Sequence, residues 1–339
     1  MRRLSNAQVA LRPLIVLVGP TAVGKSEIGV RLAASLETEV LSADSRQVYR
    51  GMDIATDKPT AEQQRGIPHR LIDLIDPDES FNAGQYRVQA MEEIARLYAA
   101  GRLPLVIGGT GLYVRTLLRG LCDAPTADAG YRDELASIAR LKEKGYLHRR
   151  LAGIDPEAAA RLHPNDEVKI IRALEVHHLS GRRLSEMHRE HAFSSRSFAS
   201  LLIGLTRNRE VLYRRIDERV DLMFAHGLVR ETEGLLFKGY GRDLGSMKGL
   251  GYRQVCGYLA GEYDRAEAIR LLKRDTRHFA KRQLTWFRSE PGIHWHEIGL
   301  HDRPETVAEQ LLDDIQRFLD DLDEHAGSRI PRAGMKGEA

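Results

Sequence analysis

An eight-residue segment near the amino terminus has the pattern G-x-x-x-x-G-K-[ST], which limits the possible folds more than any other feature of the chain. The apolar run at 14–18 precedes it and predicts a buried strand, and Ile28, Leu32 and Leu36 follow at helical spacing. Between a strand and a helix, such a loop turns backbone N–H groups and the positive helix end toward an anion. The segment predicts a phosphate loop made of Gly19, Pro20, Thr21, Ala22, Val23, Gly24, Lys25 and Ser26.

Two residues of the phosphate loop have predicted roles of their own. Lys25 supplies a point charge for the terminal phosphates, and the Ser26 hydroxyl is a candidate ligand for Mg²⁺. The motif leaves the reaction open, because many reactions use a bound polyphosphate.

The bulk properties are those of an ordinary globular chain. Its 339 residues can bury one large core or two modest ones, and the net charge is only +3. Cys122 and Cys256 are too few for a disulfide framework or a cysteine-rich zinc site, which favours a reducing compartment. The sequence shows no signal peptide and no stretch long enough to span a membrane. We expect a cytoplasmic enzyme.

Apolar runs alternate with helical patterns over much of the chain. Further strands are predicted at 39–43, 68–77, 103–107, 198–205 and 292–298, and helices at 82–100, 209–226, 230–238, 265–288 and 304–322. We predict an α/β fold, with a P-loop NTPase-like parallel sheet core flanked by helices and an all-helical insertion domain. The predicted boundaries are 1–119 for the first half of the core, 120–197 for the insertion, 198–322 for the second half and 323–339 for a disordered tail.

Polar residues follow two of the predicted strands. In an open α/β sheet, ligands bind beyond the carboxyl ends of the strands, so residues 44–47 are expected beside the phosphate loop. The strand at 103–107 runs into Gly-Gly-Thr-Gly, where a phosphate-loop ATPase commonly has an aspartate that helps to hold magnesium. This departure argues against an ATP hydrolase. It suggests that backbone amides and the Thr110 hydroxyl approach a ligand closely.

Basic residues form a stripe on the helix predicted at 265–288. Arg270, Arg274, Arg277 and Lys281 recur at spacings that place them on one helix face, and Asp275 interrupts the stripe. The stripe alone fits a nucleic-acid surface and a plain solvated face equally well. Together with the phosphate loop and the helical insertion, it favours RNA, whose backbone would bind in a salt-dependent manner.

These segments together resemble the tRNA dimethylallyltransferase family, also named tRNA isopentenyltransferase. The resemblance extends from about residue 14 to 295, and the first of its segments is shared by many phosphate-loop proteins, whereas the whole set is specific. The segments are GPTAVGKS at 19–26, DSRQVYRGMDIATDKP at 44–59, PHRLIDLIDP at 68–77, GGTGLY at 108–113, ND at 165–166, RALEV at 172–176, GLGYRQ at 249–254 and KRQLTWFR at 281–288. The zinc module of some eukaryotic relatives is absent from the sequence, which indicates the bacterial type.

The resemblance implies a reaction and its partners. A dimethylallyl group passes from dimethylallyl diphosphate to the exocyclic amine of the adenosine 3′ of the anticodon, in tRNAs that read codons beginning with U. The phosphate loop holds the diphosphate leaving group, with Mg²⁺ bridging the phosphates and Ser26 as its protein ligand. The partners are the anticodon stem-loop of tRNA and dimethylallyl diphosphate. We expect no membrane partner and take a monomer as the default.

Four residues match catalytic positions of the family: Asp44, Thr110, Lys25 and Arg219. Asp44 resembles the general base, which an aromatic amine needs because it is a poor nucleophile. Lys25 and Thr110 resemble the residues that stabilise the departing diphosphate, and Arg219 resembles an arginine that reaches it. Without the family, these side chains fit a capping aspartate, a turn threonine and an exposed helical arginine.

The resemblance also implies contacts with tRNA. The matching residues are Asp44, Ser45, Arg46, Gln47, Thr110, Arg132, Val168, Lys169, Ile170, Ile171, Arg172, Lys248, Gly249, Leu250, Gly251, Tyr252, Arg253, Lys281, Arg282, Gln283, Leu284, Thr285, Trp286, Phe287 and Arg288. Gln47 has both a donor and an acceptor, which suits a base edge. Each residue fits ordinary surface as an alternative. Trp286 and Phe287 are candidates for stacking on bases, and core packing is the better interpretation for at least one of them.

Three other functions are compatible with parts of the sequence. A prenyltransferase acting on free adenine nucleotides would need neither the insertion nor the stripe. A small-molecule kinase or ATPase is disfavoured by the Gly-Gly-Thr-Gly strand end. A non-catalytic RNA-binding protein would leave Lys25 and Ser26 unexplained.

Overall fold

The structure is a computed structural model that describes residues 12–122, 124–191 and 198–327. These residues form two compact units, divided at Leu118 and again at Ser197. The first unit consists of the part of the chain up to Leu118 and the part from Ser197 onward. The second unit is Arg119–Arg196. None of the helices in the described ranges has the length and apolar character that a membrane span requires.

A six-stranded parallel sheet forms the centre of the first unit, with strand order β3-β2-β4-β1-β5-β6. The strands are β1 Pro13–Val18, β2 Val40–Ala43, β3 His69–Arg70, β4 Leu105–Gly108, β5 Ala199–Arg207 and β6 Ile293–Ile298. The central strand β1 is apolar along its length because helices cover both faces of the sheet. The predicted fold class is confirmed.

Helices flank the sheet in the first unit and make up all the regular structure described in the second. In the first unit they are α1 Lys25–Ser35, α2 Ala61–Gln64, α3 Ala83–Ala99, α4 Gly111–Arg119, α10 Arg209–Ala225, α11 Leu228–Phe237, α12 Tyr252–Leu259, α13 Arg265–Arg288 and α14 Pro304–Gly327. In the second unit they are α5 Ala129–Leu141, α6 Tyr146–Ile154, α7 Pro156–Arg161, α8 Glu167–Ser180 and α9 Leu184–His191. Aspartate side chains cap several of them, as Asp264 does by accepting a hydrogen bond from the Glu267 N–H.

Two layers of helices pack on the sheet, and the alternation along β1 sorts its residues between them. Ile15 and Leu17 face a core built with α1, α10 and α14. Leu14, Val16 and Val18 face a core built with α3 and α4. Helix α13 contributes to both cores, which places it at the edge where the sheet's ligand site is expected.

The segment predicted as a strand at 68–77 pairs as a strand only at His69–Arg70. Leu71 and Asp73 have φ values of 64° and 54°, in the left-handed region, which ends the strand. The chain then runs beside residues 47–49, where the Asp73 N–H donates to the Gln47 carbonyl. The prediction of a long strand is wrong because these residues pair with the loop after β2 instead.

The last described helix, α14, runs past its predicted end at Leu322 to Gly327. The prediction of a disordered tail is therefore wrong for 323–327. The rest of that tail, 328–339, lies outside the described residues.

A buried carboxylate joins four segments of the first unit. Glu39, 5% exposed, immediately precedes β2 and accepts hydrogen bonds from Arg70 at 2.8 Å, Arg96 at 2.6 Å and Arg102 at 3.2 Å. Burial alone would raise the pKa of Glu39, but hydrogen bonds from Arg96 and Arg70 outweigh it and hold the pKa below its ordinary value. The charged carboxylate is therefore stabilised by the fold.

Replacing this carboxylate by an amide, Glu39→Gln, is expected to lower the free energy of unfolding at pH 7 by about 2 kcal/mol, because hydrogen bonds to a charged acceptor are removed. A depressed pKa stabilises the fold above the unfolded-state value of about 4.3 and ceases to do so as pH falls through the folded-state value. Urea unfolding of both proteins between pH 7 and 3 should show the difference shrinking. A difference that stays constant over this range would contradict the account.

Candidate active site

The phosphate loop has the backbone conformation that its glycines permit. Gly19 has φ 149° and Gly24 has φ 113°, and a Cβ on Gly19 would lie 2.6 Å from the Leu205 carbonyl oxygen. Gly24 sits at the amino-terminal cap of α1. Arg207 and Arg215 hold the outside of the loop, donating from Nε to the carbonyls of Val23 and Ala22 at 2.9 Å each. Arginine side chains from β5 and α10 thereby fix the backbone of the loop.

Lys25 lies partly buried inside the loop. Its Nζ donates to the Pro20 carbonyl at 2.9 Å. Burial lowers the pKa of Lys25 to about 8, the charge of Asp44 opposes this shift, and that of Arg219 adds to it. Lys25 therefore lies within electrostatic reach of both other charged catalytic candidates.

Asp44 follows the last residue of β2 and faces the loop. The Arg46 N–H donates to Asp44 Oδ1 at 2.8 Å. Burial raises the pKa of the Asp44 carboxyl, against the opposing effects of that hydrogen bond and of the Lys25 charge. A carboxylate in such surroundings is suited to accept a proton.

Thr110 follows the end of β4, the strand next to β2. Its N–H donates to the Ala43 carbonyl at 3.1 Å, and its Oγ1 accepts from the Ser45 N–H at 2.9 Å. These bonds tie the two strand ends together. Thr110 and Asp44 line the same cavity, as the strand-end prediction required.

Arg219 reaches the phosphate loop from α10, far along the chain. Its Nη2 donates to the Thr21 hydroxyl at 2.6 Å, and its Nη1 donates to Asp57 Oδ2 at 2.7 Å. The side chain is 19% exposed. The structure thus brings together Asp44, Thr110, Lys25 and Arg219 around one loop.

Two cavities of the first unit meet at this cluster. The loop cavity, about 770 Å³, is lined by Lys25, Ser26 and Gly109 among others. The basic cavity, about 460 Å³, is lined by Lys248, Arg253 and Arg282 together with apolar side chains. The residues that line both are Thr21, Asp44, Thr56, Asp57, Arg219, Met223 and Phe279.

The glycines at the end of β4 and just after it make room for protein neighbours. A Cβ on Gly108 would lie 2.1 Å from the Ala43 carbonyl oxygen, and one on Gly109 would lie 2.3 Å from Gln283 Nε2. A Cβ on Gly111 would lie 2.1 Å from the ring of Trp286. These contacts explain the glycines without a ligand, although Gly108 and Gly109 also line the loop cavity.

The surroundings of Ser26 fit a magnesium ion that is held mainly by phosphate. Ser26 is exposed and lines the loop cavity, and β4 ends in Gly108 where many phosphate loops face an aspartate. Within the described part of the chain, no group of three or more His, Cys, Asp or Glu residues is placed to hold a metal. Mg²⁺ commonly takes one or two protein ligands and completes its shell with substrate phosphates and water.

Several of the predicted RNA contacts are buried in the structure. Ile170 lies in the core of the second unit and Phe287 in a core of the sheet. The Tyr252 hydroxyl donates to Glu231 at 2.6 Å, and Gln283 is 6% exposed. Burial in these cores favours a packing role for the side chains of Ile170 and Phe287. Tyr252 lines the basic cavity and Gln283 the loop cavity, so tRNA contact at these two residues stays a prediction.

Two other predicted contacts are engaged within the protein. Gln47 Oε1 accepts from the Ser42 hydroxyl at 2.9 Å, and its Nε2 donates to the Asp57 carbonyl at 3.1 Å. Arg132 donates two hydrogen bonds of 2.8 Å to the fully buried Glu175. Both arrangements favour a structural role, since base or phosphate recognition would have to replace these bonds.

The basic stripe is largely neutralised. Arg270 pairs with Glu267, Arg274 with Asp275, and Arg277 with Asp217. Lys281 is exposed and forms no ion pair with any described residue. The remaining predicted RNA contacts that are exposed are Arg46, Val168, Lys169, Lys248, Arg253, Arg282, Thr285 and Arg288.

Sequence reasoning missed the roles of three residues. Asp57, whose φ is 55°, pairs with Arg219, although the family segment at 44–59 carried no predicted role for this residue. Glu231 accepts hydrogen bonds from the N–H groups of Asp53 and Ile54, and so anchors that loop. Gln283 contacts the phosphate loop itself. Of these three residues, only Gln283 had a signal in the sequence. Its spacing from Ala280 and Phe287 places it on the inward face of α13.

Comparison with known proteins gives close matches in sequence. A family model described as IPP transferase matches residues 47–290. The tRNA dimethylallyltransferase of Geobacter sulfurreducens is 51% identical over 306 residues, which are 90% of this chain and 98% of that protein. The tRNA dimethylallyltransferase 2 of Geotalea uraniireducens is 49% identical over 295 residues, 87% of this chain and 94% of that protein.

Solved structures give the same family. The tRNA isopentenylpyrophosphate transferase from Bacillus halodurans matches with a TM-score of 0.71 and 40% identity, over 93% of this chain and 99% of that chain. A eukaryotic dimethylallyltransferase acting on tRNA matches with a TM-score of 0.79 and 27% identity, over 91% of this chain and 80% of that chain. With a parallel sheet, a phosphate loop and these relatives in agreement, the chain belongs to the tRNA dimethylallyltransferase (IPP transferase) family of prenyl-transferring enzymes, which confirms the prediction from its motifs.

Proposed function

We propose that this chain transfers the dimethylallyl group of dimethylallyl diphosphate to the exocyclic amine of the adenosine 3′ of the anticodon, in tRNAs reading codons that begin with U. The observation that carries the proposal is the place of Asp44, which lines both the loop cavity and the basic cavity. A base at that junction can act between a diphosphate on one side and an RNA base on the other. Relatives named for a dimethylallyl donor group and a tRNA acceptor support this direction.

The donor diphosphate would occupy the phosphate loop. Lys25 and Arg219 supply positive charge there, and the helix α1 starts at the loop with its positive end. When bound, Mg²⁺ neutralises part of the diphosphate charge, and the Ser26 hydroxyl is the protein group we assign to it. Ion pairing with Asp57 keeps the Arg219 guanidinium turned to the loop before the donor arrives.

The transfer forms one bond and breaks one. The amine nitrogen attacks the first carbon of the dimethylallyl group, and the bond from that carbon to the bridging oxygen breaks. The amine proton passes to the Asp44 carboxylate, while the charge that builds on the oxygen is met by Lys25, Thr110 and Arg219. Burial, which raises the pKa of Asp44, makes its carboxylate a stronger proton acceptor than an exposed aspartate.

The acceptor would enter through the basic cavity. Lys248, Arg253 and Arg282 give its lining positive charge, and Phe279 offers a ring on which a flipped-out base can stack. All the groups in this scheme belong to one chain, so a monomer suffices. A tRNA acceptor also favours a cytoplasmic location.

Incubating the protein with labelled dimethylallyl diphosphate, Mg²⁺ and total tRNA tests the function directly. After digestion of the RNA, the label should be found on the adenosine next to the anticodon. Equal transfer to free AMP would instead support a nucleotide-level prenyltransferase. Phosphate release from ATP without RNA labelling would support a kinase or ATPase.

The base assignment predicts that Asp44→Asn lowers kcat by about a hundredfold, the range expected when a general base is removed, while the KM for tRNA changes little. The measurement is initial rates of prenyl transfer over a range of tRNA concentrations. Asp313→Asn, the same change on an exposed face of α14, is the matched control. Normal turnover in the Asp44 variant would remove this carboxylate from the mechanism.

The exposed charge of Lys281 is expected to contact the tRNA backbone. Lys281→Glu should weaken tRNA binding and reduce the slope of log affinity against log salt by roughly 0.7 to 0.9 for each phosphate that the protein no longer neutralises. Filter binding at several salt concentrations measures both. Arg317→Glu reverses an exposed charge on α14 and serves as the control. If the two variants bind alike, the position of Lys281 is ordinary surface.

A further inference from the structure

One side chain joins the two glycine-containing segments of the candidate active site. Gln283 Oε1 accepts a hydrogen bond from the Thr21 N–H at 2.9 Å, and Gln283 Nε2 donates to the Gly109 carbonyl at 2.9 Å. Thr21 belongs to the phosphate loop and Gly109 directly precedes Thr110. The Gln283 carboxamide therefore spans the distance between the diphosphate site and the strand end that carries Thr110.

The packing around Gln283 leaves its side chain little conformational freedom. Gln283 is 6% exposed, and a Cβ on Gly109 would lie 2.3 Å from its Nε2, so the amide and the turn are packed against each other. Three residues further along α13, Trp286 packs as closely against Gly111. The helix thus contacts the Gly109–Gly111 turn at two successive points.

Thr21 and Thr110, the residue that follows the partner Gly109, also contact other parts of the site. The Thr21 hydroxyl accepts from Arg219, and Thr110 accepts from the Ser45 N–H beside Asp44. A shift of Thr21 relative to Gly109 would therefore separate the groups that bind diphosphate from the groups around the base.

We infer that Gln283 is a positioning residue, which sets the phosphate loop and Thr110 at the separation that the transfer requires. This inference rests on the proposed prenyl transfer. A primary amide offers an acceptor and a donor from one short planar group without any change of protonation, whereas an apolar side chain of equal size would leave both backbone partners unpaired. The side chain acts through its neighbours and contacts neither substrate in this scheme.

Gln283→Met is the first test, with Gln316→Met on the exposed face of α14 as its matched control. The α13 variant should lose about a hundredfold in kcat, the range caused by a displacement of about 1 Å in a catalytic site. The KM for tRNA and the Kd for tRNA should stay near the wild-type values. A side chain that only packs the core would change thermal stability without this division between kcat and KM.

Gln283→Glu is the second test and does not depend on the first variant being folded. Its carboxylate keeps an acceptor for the Thr21 N–H but lacks the donor for the Gly109 carbonyl, and protonation restores that donor. The activity of the variant relative to wild type at the same pH should therefore rise as pH is lowered. A flat ratio, or wild-type kcat in Gln283→Met, overturns the inference, and so does a loss confined to the KM for tRNA. Absence of prenyl transfer in the wild-type protein would instead overturn the proposed function.

Discussion

The parallel pairing of three neighbouring strands is the constraint on which the candidate site depends. Strand β4 lies between β1 and β2, and Gly108 at its end is in register with both Val18 and Ala43. Because the strands are parallel, the phosphate loop, Asp44 and Thr110 all leave the sheet at one edge. No long-range contact of the side chains is needed to bring these groups together, since the backbone hydrogen bonds of the sheet already do so.

The second half of the chain completes what the first half begins. Helix α10 supplies Arg219 and Arg215, and strand β5 supplies Arg207. Arg215 and Arg207 donate hydrogen bonds to carbonyls on the outside of the phosphate loop. Helix α13 reaches the other side through Gln283. A loop that must hold a highly charged anion is thereby held at its backbone by separate elements of the fold, an arrangement that favours electrostatic catalysis with little reorganisation.

Sequence reasoning predicted the parts of the site that local pattern controls. A loop motif between a strand and a helix, and polar residues after buried strands, are short-range signals, so Lys25, Asp44 and Thr110 were placed correctly beside one another. Arg219 required the family resemblance, because nothing in α10 marks one arginine among several. The Asp57 partner depends on a left-handed backbone at a non-glycine residue, which no periodicity indicates. For Gln283, the motif suggested RNA contact, whereas the spacing of the buried α13 residues placed it inward.

A crystal structure of this protein with Mg²⁺ and a non-reactive thio-analogue of dimethylallyl diphosphate tests the central claim most directly. The account predicts the diphosphate inside the phosphate loop, between Lys25 and Arg219, with the first carbon of the dimethylallyl chain facing the Asp44 carboxylate across the junction of the two cavities. A diphosphate bound elsewhere, or a dimethylallyl chain directed away from Asp44, would contradict it.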